Sequence, residues 1–157
     1  MSRLWEIHAR AVRASLRRVG AVGLAIVAPV ALLITLLPTP LQARAKPLVV
    51  RGLGWLHDRT LLEWLSWTRL EVLANVAMLV PVALLLTFVL GARRWWLATA
   101  ICVAASVGVE TAQLFMPARV TSLLDVAANG LGALAGAAIA AIAEVIVLGA
   151  RRRSLRR

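Results

Sequence analysis

The chain has 157 residues, of which 61% are hydrophobic and 16% charged, against roughly 45–50% and about 25% in soluble globular proteins. That leaves too little polar material to cover a water-facing surface, and it excludes intrinsic disorder and a collagen-like structure. The 18 Lys and Arg against 7 Asp and Glu give a net charge of +11; beside long apolar runs, this excess points to orientation in a membrane and not to nucleic acid.

The chain opens with a basic leader, residues 1–18, in which Leu4, Trp5, Val12, Leu16 and Val19 fall near helical spacing with arginines between them. This predicts an amphipathic helix lying at the membrane surface. Residues 19–37 form an uncharged run that ends at Pro38 and is long enough to span the hydrocarbon. A basic leader before an apolar run, with Ala43-Arg44-Ala45 beyond it, also has the outline of a cleaved signal. The run of 19 residues exceeds the roughly 7–15 of a signal's apolar region, so the first span is expected to be retained.

Residues 38–71 form the long loop. In its second half Leu61, Trp64, Leu65, Thr68 and Val72 share one helical face and Arg59, Glu63 and Ser66 the other, which predicts a second helix resting on the bilayer. Three more spans follow, at 72–90, 95–116 and 126–148, and a basic tail at 149–157 closes the chain. No run alternates with period two, so a transmembrane β-barrel is excluded. The expected fold is all-α: an integral membrane bundle of four transmembrane helices (residues 19–148), with amphipathic interfacial helices before span 1 and before span 2.

Orientation follows from the basic residues. With both termini in the cytoplasm, segments 1–18, 91–94 and 149–157 hold twelve Lys and Arg, and the outer segments 38–71 and 117–125 hold six. The excess inside predicts cytoplasmic termini. All six tryptophans sit at or beyond span ends, as in the aromatic belts of membrane proteins.

With the spans oriented, the polar side chains gather in the outer half. Ser106, Glu110 and Gln113, at i, i+4 and i+7, share one face of the third span. Asn75 lies about one turn into the second span, beyond Glu71, and Asp125 and Asn129 lie at the start of the fourth. Arg119 stands in the short loop between the last two. Gly132 and Gly136 continue the Asp125–Asn129 face at a spacing that admits a close helix. The inner half holds only Thr87, Thr99, Cys102 and Glu144.

Ionisable residues inside a span are expensive and mark functional sites by default. The plainer reading is that Asn75, Gln113 and Asn129 join helices by hydrogen bonds, that Asp125 caps the fourth helix, and that Glu144 snorkels to the inner surface near Arg151. No metal or cofactor is expected: Cys102 stands alone, and His8 and His57 fall on opposite sides of the membrane. Gly130, Gly132 and Gly136 have the wrong spacing for a dinucleotide loop. His57, Asp58 and Ser66 are close in sequence, which does not make a triad.

The order Ser106-x3-Glu110-x2-Gln113-x5-Arg119-x5-Asp125-x3-Asn129-x2-Gly132-x3-Gly136, with Asn75-x5-Pro81 upstream, resembles the hallmark of the VanZ-like membrane family. Ala83 stands where that family often has glycine, and Ser122 where it often has an acidic residue. The resemblance covers about residues 70–140. It implies a bacterial inner-membrane protein related to a teicoplanin-resistance factor, a class defined by phenotype and not by a reaction.

Three functions fit the residues. A binding module would hold a lipid headgroup or a lipid-linked cell-wall precursor through Asn75, Ser106, Glu110, Gln113, Arg119, Asp125 and Asn129, with Arg119 pairing a phosphate or carboxylate. An enzyme on a lipid-linked substrate would use Glu110 and Asp125 as acid and base. A transporter would need a polar path through both leaflets, which the inner half lacks. The expected partners are membrane lipids; the oligomeric state is left open.

Overall fold

A computed structural model of the chain describes residues 2–36, 39–116 and 122–154. Among the described residues there are five α-helices and no strand: α1 (Ser2–Leu36), α2 (Thr39–His57), α3 (Trp67–Leu90), α4 (Trp95–Gln113) and α5 (Leu123–Ser154), with one 3-10 turn, Ala92–Arg94, joining α3 to α4. All but α2 are long and apolar enough to cross a membrane. A helix is what such sequence must adopt in hydrocarbon, where no water can take up a free N–H or C=O. The fold is therefore the expected all-α membrane bundle.

Two elements fall differently from the sequence reading. The basic leader is helical but not separate, since α1 runs unbroken from Ser2 to Leu36. Nothing between Arg17 and Val19 stops a helix, and Gly20 marks a close contact: a Cβ there would lie 2.7 Å from the Leu85 carbonyl oxygen of α3. The helix expected over Leu61–Val72 is replaced by α2 in the first half of the loop, where Pro40 suits a first turn because its missing N–H has no helical partner to lose. Residues 58–66 turn instead. Thr60 and Leu62 adopt positive φ, the His57 ring bonds the Leu62 and Leu65 carbonyls at 3.1 and 3.2 Å, and the Ser66 hydroxyl caps α3 by accepting from the Arg69 N–H.

The bundle is small-residue inside and large-residue outside. Ala83, Cys102, Ala133 and Ala137 form the core, with Leu79, Val82 and Leu86 against it, while Val22, Ile26, Leu131, Ile142 and Val145 stay exposed. Lipid accepts an apolar exterior, so helices associate through close packing of small residues and not through burial of large ones. The seam between α3 and α5 is the tightest. A Cβ at Gly132 would lie 2.2 Å from the Val76 carbonyl oxygen and one at Gly136 2.1 Å from that of Val80, so only glycine fits where two parallel backbones touch. α1 packs on α3 and scarcely meets α4, which leaves a cleft between α1 and α4.

The start of α1, the end of α5 and the α3–α4 turn lie at one end of the bundle. Arg13 of α1 and the Ala92 N–H both reach Glu144 of α5, and the Arg152 guanidinium lies 6.0 Å from the Trp5 ring. The opposite end carries the polar residues.

Candidate functional site

Four helices contribute to a cavity of about 500 Å³ at that opposite end. Asn75 of α3, Glu110 and Gln113 of α4, and Asp125 and Asn129 of α5 line it, together with Thr35 of α1. Five of the seven residues singled out in the sequence thus share one wall. They meet because each lies near the same end of its helix, α1 and α4 arriving there by their C-termini and α3 and α5 by their N-termini.

Ser106 stands one turn deeper. It is buried and its hydroxyl accepts from the Asn129 amide nitrogen at 2.8 Å, which ties α4 to α5. Arg119 lies outside the described residues. Glu71 is exposed at the start of α3 and does not line the cavity.

The bonds separate anchored groups from open ones. Gln113 is buried and donates to the Thr35 carbonyl oxygen at 2.9 Å, holding α1 to α4 where their packing is thin. Thr35 carries no signal in the sequence, because its part is played by a backbone carbonyl; its own hydroxyl bonds the Ala31 and Leu32 carbonyls. One Glu110 carboxylate oxygen accepts from the Ser122 N–H at 3.2 Å, which ties the residue just before α5 to α4. Asp125 lies in the first turn of α5, where the helix dipole favours its charge. Asn129 is only 8% exposed, and its side-chain oxygen has no partner among the described residues. A buried acceptor left unmade is destabilising by about 1–3 kcal/mol.

Beneath this polar mouth lies a second chamber of about 250 Å³ between α1, α3, α4 and α5. Its walls are mostly apolar, among them Ala28, Leu32, Leu79, Val82 and Ala105. Thr35, Met78, Val109 and Asn129 line both chambers, so the polar mouth adjoins an apolar floor and Asn129, with its unpartnered oxygen, belongs to both.

Glu144 is not the snorkelling side chain the sequence reading expected. It is 5% exposed. One of its oxygens lies 3.3 Å from Arg13 Nε and the other accepts from the Ala92 N–H at 2.9 Å. His57 and Ser66 are engaged with backbone groups and form no triad.

No curated protein and no solved structure matches the chain significantly. A comparison with protein families matches residues 22–144, from the first span to the last, to VanZ/LLP1. That stretch contains the whole cavity and the polar order that lines it, and the chain belongs to the VanZ/LLP1 family.

Proposed function

We propose that the chain binds a cell-envelope amphiphile, a lipid or a lipid-linked peptidoglycan precursor, with its polar head in the mouth and its chain on the apolar floor. In a cell such binding would influence susceptibility to glycopeptides such as teicoplanin. The observation that carries the reading is that the two chambers adjoin and share Thr35, Met78, Val109 and Asn129 as lining. A soluble ligand would need no apolar floor, and a bulk lipid would need no polar mouth. Asn75, Asn129 and Gln113 offer amide groups to orient a head. Glu110 and Asp125 accept from hydroxyls or amines, and Arg119 would pair with phosphate or carboxylate. Glu110 and Asp125 lining one cavity also supports a second reading, acid–base chemistry on the same class of substrate.

Mass spectrometry of the lipids copurifying with wild type and with Glu110→Gln tests both. Loss of a specific amphiphile from the variant supports binding. Its accumulation on the variant supports turnover. An unchanged lipid profile overturns the site.

The reading includes residence in the bacterial inner membrane with both termini cytoplasmic, supported by the twelve-to-six basic count. Single cysteines introduced at 48 and 154, in a chain with Cys102 replaced, test this. Position 48 should label from outside and 154 only after permeabilisation; the reverse would contradict it.

A further inference from the structure

The end of the bundle where α1 starts and α5 finishes holds a second cavity, of about 310 Å³, lined by Arg13, Arg17, Arg93, Arg94 and Glu144 together with the apolar Phe88 and Leu90. Four arginines and one glutamate thus share the lining. Both carboxylate oxygens are used, one by Arg13 and one by the Ala92 N–H. The guanidinium groups of Arg17, Arg93 and Arg94 have no hydrogen-bond or ion-pair partner among the described residues. Arg13 and Arg17 are four residues apart on α1, a spacing at which like charges repel. The site therefore has an excess of three positive charges, fixed at one edge by the Glu144–Arg13 pair and uncompensated at the other.

The depth of this cavity is marked as well. Trp95 and Trp96 follow Arg94 directly and are 41% and 58% exposed, as tryptophans are at the level of lipid headgroups. We propose that this cavity binds a phosphate group, held by Arg17, Arg93 and Arg94 in bidentate contacts and positioned by the Glu144–Arg13 clamp. Guanidinium forks match phosphate oxygens in geometry and charge. The phosphate belongs either to an anionic phospholipid of the surrounding leaflet or to a soluble phosphoryl compound. This site is separate from the polar mouth and shares no residue with it.

The test uses the full chain in phosphatidylcholine nanodiscs doped with phosphatidylglycerol, with retained lipid read by native mass spectrometry. Wild type should retain phosphatidylglycerol in preference to phosphatidylcholine. The double variant Arg17→Ala/Arg94→Ala should weaken that retention about twenty-five-fold, at roughly fivefold for each guanidinium lost. Arg152→Ala/Arg153→Ala removes the same charge from the same end outside the cavity and should change retention little. Inorganic phosphate distinguishes the sources. Displacement of the lipid by phosphate, with the same loss in the first variant, assigns the site to a soluble phosphoryl group; no displacement assigns it to the lipid. Equal losses in the two double variants would mean diffuse surface attraction and would overturn the proposal. So would retention without preference for phosphatidylglycerol together with no binding of inorganic phosphate. Helical circular dichroism of each variant confirms that the bundle is intact.

Discussion

Each end of the bundle holds one glutamate inside a span, and the two are used in opposite ways. At the terminal end Glu144 is sealed, with both oxygens occupied and 5% of the residue exposed. At the other end Glu110 gives one oxygen to the Ser122 N–H and lines an open cavity with Asp125 and Asn129. The same side chain is structural when its hydrogen-bonding capacity is filled from within the fold, and available when part of it faces a cavity. Charge in a span identifies candidates; only the partners separate a clamp from a site.

The largest expected effect sharpens that contrast in stability. Glu144→Ala leaves Arg13 without its counter-ion and the Ala92 N–H without an acceptor, where α1, α5 and the α3–α4 turn meet. It should destabilise the bundle by about 2–4 kcal/mol, at the lower side of a fully buried pair because Arg13 is itself part-exposed. Glu110→Ala removes one hydrogen bond and should lose about 1 kcal/mol. Unfolding of both variants in mixed micelles measures the difference, and equal losses would dissolve the distinction between the two ends.

A smaller effect concerns the orphaned acceptor. The double variant Ser106→Ala/Asn129→Leu removes the hydrogen-bonded pair together with the unpartnered oxygen, and an apolar pair in its place is close to neutral. Its stability should stay within about 1 kcal/mol of wild type while its copurifying amphiphile is lost. A variant clearly less stable, with the amphiphile kept, would make Asn129 a structural joint only.

The polar end was legible in the sequence because helical spacing converts directly into a shared face. Ser106, Glu110 and Gln113 on one side, and Asp125 and Asn129 on the other, needed only the span boundaries to fall at one depth. Gly132 and Gly136 were legible for the same reason, as their i, i+4 spacing repeats the Val76–Val80 step of the facing helix. The clamp was not legible. Depth along α5 places Glu144 near the end of its span, but its partner is Arg13, far away in sequence and brought close only because α1 continues unbroken through the leader. Thr35 was missed because a backbone carbonyl leaves no trace in residue identity. The helix of the long loop was displaced because amphipathic spacing over 61–72 was outweighed by local turn chemistry, with the His57 ring and the Ser66 cap fixing the bend.

Met78 lines both the polar mouth and the apolar floor, so a photo-crosslinking amino acid at that position, irradiated in native membranes, tests the central claim most directly. The account predicts an adduct with one class of amphiphile, identified by mass, that disappears when Glu110→Gln is added to the same chain. Adducts with bulk phospholipid alone, unchanged by Glu110→Gln, would contradict it.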